Sequence, residues 1–238
     1  MRGTGGGATP AGRERWACLL DWDGTVTIQD AQVLLLDAFG RPDWAAVEDE
    51  VYAGGLGSRA AYPLIYEGFR LPAEEVAAFV RKRVRLDPTF PAFARFCLDH
   101  GVPLQVVSDG QRFYIELLLA DAGLDRLPVA ANNASYTASG VRLAFVEPPG
   151  GCGLCGNCKR EWVDAFHRQG YRVLYAGDGR TDRCAARRAD AVFARGYLLG
   201  FCRAEGIACT PLKGFTEMEV FLRQALGKDL ERSGAGEE

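Results

Sequence analysis

Short apolar runs alternate with amphipathic stretches over most of the chain. The runs at 16–21, 103–107, 129–131, 172–176, 191–194 and 207–210 are brief and almost continuously apolar, with glycine or polar residues at their ends. Strands buried on both faces of a parallel sheet read this way. Between them, "PAFARFCLDHG", "QRFYIELLLADAGL" and "KREWVDAFHRQG" carry helical periodicity and close on glycine, a common helix C-cap. Strand–helix alternation predicts an α/β fold built on a doubly wound parallel sheet.

Two segments break the alternation. Residues 30–86 contain helical stretches and no strand candidate, which predicts a small helical domain inserted after the first strand. The stretch "ASYTASGVRLAFVE" alternates around a turn and predicts a β-hairpin outside the main sheet. The expected organisation is therefore a core of 15–29 and 87–226, a helical cap at 30–86, and flexible tails at 1–14 and 227–238.

Composition narrows the class without naming a function. A chain of 238 residues can fill one core and support a small accessory domain. A net charge of -3 with both signs interleaved gives no basic block for nucleic acid, and "RKRVR" reads as a solvated helix face or a basic rim that attracts an anion. No apolar run is long enough to span a membrane, and "MRGTGGGATPAGRER" lacks the apolar segment of a signal peptide, so a cytoplasmic protein is expected. Its 8 cysteines are then expected to be reduced. The oligomeric state is not legible.

Asp21 and Asp23 close the first apolar run and are followed by Gly24-Thr25. Two carboxylates at the end of a buried strand repel each other and resist desolvation, so a divalent cation is expected to balance them. Ligands of open parallel sheets bind beyond the C-terminal strand ends. Two further ends are polar: Ser108-Asp109-Gly110, and Gly177-Asp178-Gly179-Arg180-Thr181-Asp182. Lys159 opens the helix before the latter strand. Several carboxylates, a hydroxyl, a lysine and glycine-rich turns on one edge fit phosphoryl transfer. A carboxylate can attack phosphorus, Mg²⁺ takes oxygen ligands, and N–H, hydroxyl and ammonium groups hold the equatorial oxygens. A second carboxylate two residues on can protonate the leaving alkoxide and then deprotonate water.

These residues resemble the four motifs of the haloacid dehalogenase superfamily of aspartate-nucleophile phosphatases: "DWDGT", "VVSDG", Lys159 and "GDGRTD", in that order. The resemblance implies that Asp21 is the nucleophile and Asp23 the general acid/base. It implies Mg²⁺ held by Asp21, Asp178 and the Asp23 main-chain carbonyl, with Asp182 holding metal-site waters or Lys159. Ser108, Asp109, Gly110 and Lys159 would hold the phosphate, with a helix cap as the alternative for Asp109. A helical cap between the first two motifs is similar to the phosphoserine-phosphatase-like branch and implies a small phosphorylated metabolite as substrate.

A finer likeness rests on "CGLCGNCKR" and "YAGDGRTDRCAARRADAVFARGYLL". It points to the subgroup with the methionine-salvage phosphatase acting on 2-hydroxy-3-keto-5-methylthiopentenyl-1-phosphate and the phosphoethanolamine/phosphocholine phosphatases. The methionine-salvage ester is the leading expectation. Phosphoserine ranks lower because Asp30 stands where phosphoserine phosphatases carry a glutamate, and the cap stretch offers only Arg59. Tyr62 and Tyr66 on that stretch read as core residues. A mutase-like phosphotransferase and a non-catalytic, zinc-dependent binding module are the alternatives. Cys152, Cys155 and Cys158 have C-x₂-C-x₂-C spacing, which suits either half a structural Zn²⁺ site or a loop of reduced thiols.

Overall fold

Strand β1, Arg15–Leu20, is the centre of the sheet, and its alternating side chains divide the molecule into two cores. Trp16, Cys18 and Leu20 join the larger cluster on one face, while Leu19 joins a smaller cluster on the other. Strands β2 (Leu104–Gln111) and β5 (Tyr171–Gly177) flank β1 in parallel and alternate in the same way. Burial on both faces explains why these strands are apolar without interruption.

The computed structural model describes residues 14–148 and 150–234. After β1 the chain makes a tight turn at Trp22–Val26, then forms four helices: α1 (Ala31–Phe39), α2 (Trp44–Ala53), α3 (Ser58–Ile65) and α4 (Ala73–Arg83). Helix α5 (Phe90–Asp99) leads to β2, and α6 (Arg112–Asp121) leads from β2 to β3 (Val129–Thr137) and β4 (Gly140–Ala144). Helix α7 (Lys159–Arg168) precedes β5. A short turn at Arg180–Asp182 and helix α8 (Arg183–Ala186) then lead to β6 (Ala191–Ala194), α9 (Gly196–Ala204), β7 (Thr210–Pro211) and α10 (Thr216–Gly234).

The strand order is β4-β3-β2-β1-β5-β6-β7, parallel except for the β3–β4 pair. The chain winds outward from β1 through β2 and β3, then restarts on the other side at β5. That reversal sets a crevice at the carboxyl ends of β1, β2 and β5.

The insertion enters and leaves through two adjacent strands of chain. Thr27 and Leu86 form an antiparallel bridge, the Ile28 N–H donates to the Arg85 carbonyl at 2.9 Å, and the Asp87 N–H donates to the Val26 carbonyl at 2.8 Å. Leu35, Leu36, Ile65, Val76 and Val80 bury their side chains in the larger cluster, so the four helices are packed onto the sheet domain.

Three expectations need correction. The hairpin is not outside the sheet: β3 pairs with β2 through Val129 and Ala130, then runs on to pair with β4, so the hairpin is its edge. The last strand is Thr210–Pro211 rather than 207–210, because Ile207 closes α9 through an N–H to the Cys202 carbonyl at 2.8 Å. Helix α10 continues through position 227 to Gly234, where a tail is expected. Residues 1–13 and 235–238 of the expected tails lie outside the described residues. Among the described residues no helix is long and apolar enough to cross a membrane.

Phe215 is fully buried where α5 meets the start of α10, with ring centroids 5.3 Å from Phe90 and 5.5 Å from Phe93. Phe215→Ala is expected to cost about 3–5 kcal/mol through the cavity it leaves. Urea denaturation should show a lower midpoint with little change in slope.

Candidate active site

The first functional turn forms because β1 ends while still paired. The Asp21 N–H donates to the Ala176 carbonyl at 2.9 Å, which holds Asp21 at the strand end with its side chain beyond the sheet. Gly24 then adopts φ 72°, and the chain doubles back so that Thr27 N–H reaches the Trp22 carbonyl. A Cβ at Gly24 would overlap the Asp178 carboxylate, so glycine lets the first and last motifs meet.

Lys159 is the hub. It is 3% exposed, and its ammonium lies 2.6 Å from Asp21 Oδ1, 2.7 Å from Asp182 Oδ1 and 3.1 Å from Thr181 Oγ1. Burial opposes its charge, but the Asp182 and Asp21 carboxylates outweigh that and hold it above the usual lysine range. Asp182 is saturated. Oδ1 also accepts from the Tyr175 hydroxyl at 2.6 Å, and Oδ2 accepts the N–H groups of Asp178 and Gly179 at 3.0 and 2.8 Å. It therefore orients Lys159 and the Gly177–Gly179 turn.

Asp21, Asp178 and Asp182 bring one carboxylate oxygen each within 4.8 Å of one another. Burial, then the neighbouring Asp182, push Asp178 up to about 6. Burial and Asp182 also push Asp21 up, with Lys159 pulling against them. With Asp182 committed to Lys159, Tyr175 and the turn, the crowded Asp21 and Asp178 carboxylates fit a hard divalent cation such as Mg²⁺, whose charge would relieve the repulsion.

Asp23 Oδ1 accepts the Ala31 N–H at 2.8 Å and Oδ2 accepts the Tyr114 hydroxyl at 3.0 Å. Burial, then Asp30, raise its carboxyl well above the ordinary range. A carboxyl held protonated can act as an acid. Ser108 is buried at the end of β2, with its hydroxyl oxygen accepting the Gly110 N–H at 2.9 Å.

The helix-cap alternative for Asp109 needs revision. Its carboxylate is engaged with Ser58 Oγ (2.8 Å), the Asn157 N–H (2.7 Å) and Asn132 Nδ2 (3.1 Å). It does not cap α6, whose N-cap is Gln111, and its carboxylate is committed to these three donors. It ties the end of β2 to α3 and to the cysteine loop. Asn157, absent from the sequence-based candidates, completes that tie: its Nδ2 donates to the carbonyls of Ser108 (2.9 Å) and Ala130 (2.8 Å), two residues before Lys159. Its place between two cysteines and a lysine hides it in the sequence.

Asp21, Asp23, Ser108, Asp109, Lys159 and Asp178 line a cleft of about 180 Å³ together with Asp30, Gln32, Glu48, Tyr52, Tyr62 and Arg180. Tyr62, expected in the core, is buried but donates its hydroxyl to the Asp109 carbonyl at 2.7 Å. Gln32 and Glu48 carried no sequence signal beyond polar residues within helical stretches. Asp30 accepts the Val33 N–H at 2.8 Å and so caps α1 while facing the cleft. Arg59 faces away: it pairs with Glu147 at 2.5 Å. Arg112 pairs with Glu116 on its own helix at 2.9 Å.

All three clustered cysteines are free thiols, with Cys152 and Cys155 sulfurs 3.5 Å apart and Cys158 buried at the start of α7. Among the described residues, the three sulfurs do not all lie within 4.8 Å of one another as the oxygens of the acidic group do. Burial, then Asp109, raise the Cys155 thiol, and a resting thiol is a poorer metal ligand than a thiolate.

The model of the haloacid dehalogenase-like hydrolase family matches residues 18–187, most of the chain. The chain belongs to this family. Among curated relatives, the bifunctional enzyme MtnB/MtnX of Bacillus licheniformis is 30% identical over 87% of this chain. This chain spans about half of that relative, 49% of its length. The 2-hydroxy-3-keto-5-methylthiopentenyl-1-phosphate phosphatases of Geobacillus thermodenitrificans and Geobacillus kaustophilus are each 29% identical. The match covers 86% and 83% of this chain, and 94% and 91% of theirs. A phosphoserine phosphatase solved as a phospho-aspartyl intermediate analogue shares the family's fold with a TM-score of 0.64 at 16% identity, covering 88% of this chain and 99% of that one. A probable phosphoserine phosphatase of Vibrio cholerae gives 0.66 at 16% identity, covering 92% and 67%.

Two outcomes test the cation site of this family member. Gly24→Ala should displace the Asp178 carboxylate and weaken Mg²⁺ binding by about tenfold or more, read by calorimetry. Below about pH 6 Asp178 is protonated and must release a proton to bind a cation, so Mg²⁺ affinity should fall from pH 7.5 to pH 5.5.

Proposed function

We propose that the protein hydrolyses a small phosphomonoester through an aspartyl-phosphate on Asp21. The observation that carries this reading is the buried Lys159 shared between Asp21 and Asp182, with Asp23 two residues from Asp21 on the same cleft and its carboxyl raised by burial. In the first step an Asp21 carboxylate oxygen attacks phosphorus, and the bond to the leaving alcohol breaks. Asp23 delivers its proton to that alkoxide oxygen. In the second step Asp23 takes a proton from water as the water attacks phosphorus and frees Asp21. Ser108 Oγ, the N–H groups of the β2 turn and Lys159 hold the equatorial phosphoryl oxygens. Asp21, Asp178 and the Asp23 main-chain carbonyl would hold Mg²⁺, which when bound neutralises the charge of carboxylates and phosphate.

The helical insertion acts as a cap over this edge: α1, α2 and α3 supply Asp30, Gln32, Glu48, Tyr52 and Tyr62 to the cleft. A covered cleft favours a small metabolite and keeps water from the first step. Relatives named as 2-hydroxy-3-keto-5-methylthiopentenyl-1-phosphate phosphatases support that ester as the substrate, ahead of phosphoethanolamine, phosphocholine and phosphoserine. The outward ion pair of Arg59 supports the low rank of phosphoserine, whose carboxylate calls for a cation on the insertion. A cytoplasmic location, where all free thiols stay reduced, belongs to the same proposal. A Zn²⁺ at Cys152, Cys155 and Cys158 would be structural and separate from the reaction, and metal analysis of the purified protein decides it.

Phosphate release from these four esters, with Mg²⁺ and with chelator, tests the reading. Turnover should need Mg²⁺ and should fall more than about a thousandfold in Asp21→Asn. Unchanged turnover in Asp21→Asn would exclude the aspartyl-phosphate route. Transfer to an added alcohol in place of water would replace hydrolase with phosphotransferase.

A further inference from the structure

Gln32 stands out in the insertion. It is 8% exposed, lines the cleft, and its side-chain oxygen Oε1 has no hydrogen-bond partner. A buried carbonyl without a donor is costly, so a native site keeps one when something else supplies the donor. The nearest hydroxyl does not supply that donor. Tyr62 lines the same cleft, and its hydroxyl proton is already given to the Asp109 carbonyl at 2.7 Å. That hydroxyl has no second proton to give, so it cannot satisfy Oε1.

The groups beside Gln32 have the same character. Asp30 and Glu48, both from the insertion, add acceptors to the cleft wall. Lys159 is bound by Asp21 and Asp182, and the Arg180 guanidinium lies between the Tyr52 and Tyr197 rings, 4.8 and 4.2 Å from their centroids. The insertion end of the cleft is rich in acceptors, and the cations nearest to it are already engaged.

We propose that Gln32 Oε1 reads a hydrogen-bond donor, a hydroxyl or an ammonium, on the alcohol portion of the substrate, making Gln32 a specificity-determining residue. The inference rests on the phosphatase reading and deepens it. An ester bearing a hydroxyl beside its phosphorylated carbon chain meets this requirement, and a purely aliphatic one leaves Oε1 buried and unpaired.

The test compares three esters of equal heavy-atom count: 2-hydroxyethyl phosphate, 2-aminoethyl phosphate and propyl phosphate. In the wild-type protein, kcat/KM for at least one donor ester should exceed that for propyl phosphate by about tenfold, and which one it is distinguishes hydroxyl from ammonium. In Gln32→Met, similar in length but without the acceptor, that ratio should collapse toward one, mainly through KM. Should Gln32→Met not fold by thermal unfolding, Gln32→Ala reads the same ratio. Equal use of all three esters by the wild type overturns the proposal, as does a ratio that survives loss of the amide. No turnover of any ester removes the phosphatase reading and this inference with it, an outcome distinct from turnover without discrimination.

Discussion

The site is organised around one buried cation. The Lys159 ammonium bridges Asp21, at the end of β1, and Asp182, beyond the end of β5. Taking these charges out of water is expensive and is offset only when every partner is in place. Removing one partner of such a buried set costs about 3–5 kcal/mol, because the remaining charge is stranded. The same constraint explains Asp182, which uses both oxygens to fix Lys159, Tyr175 and the turn that carries Asp178. A lysine anchored this way offers a fixed positive charge without rearranging when a phosphoryl group arrives, which is the physical content of electrostatic preorganisation.

A second network, centred on Asp109, connects that site to the helical insertion. The carboxylate takes bonds from Ser58 on α3 and Asn157 before α7, while its carbonyl takes bonds from Tyr62 on α3 and Asn132 on β3. Gly156 lies so close to this carboxylate that a Cβ would collide with it, and its N–H donates to Ser58 Oγ at 2.9 Å. The cysteine-rich loop is thereby stitched to the insertion on one side and to the start of the Lys159 helix on the other. Its spacing suggests a metal; its geometry supports a mechanical role.

Strand and helix periodicity were legible because burial on both faces of the sheet leaves few residue choices. β1, β2, β5 and β6 fall close to their expected places, and the four helices of the insertion appear where no strand pattern exists. The hairpin was misplaced because alternation reports which face a side chain takes, not which strand lies beside it. The C-terminal end was misjudged because α10 continues through a polar, glycine-containing segment whose composition matches a loop. Asp21, Asp23, Ser108, Lys159, Asp178 and Asp182 converge as expected, since each sits at a strand end or helix start that the topology brings to one edge. The neighbours of Asp109 in the sequence say nothing of the tie its carboxylate makes to α3 and the cysteine loop, which depends on partners remote in the chain.

By itself, the sequence determined the α/β winding, the insertion and the chemical inventory of the edge, because each depends on residue type and local order. The tertiary structure alone decided how the inventory is shared out. Which carboxylate pairs with Lys159, which one anchors α3, why Arg59 turns outward and why Gln32 keeps a free oxygen all depend on distances between segments remote in the chain. Hydrogen bonds and ion pairs fall off within an ångström or so of their optimum, while sequence pattern carries only spacing along the chain. The substrate's alcohol is read by such contacts, so its recognition lies in the packing of α1, α2 and α3 over the sheet edge.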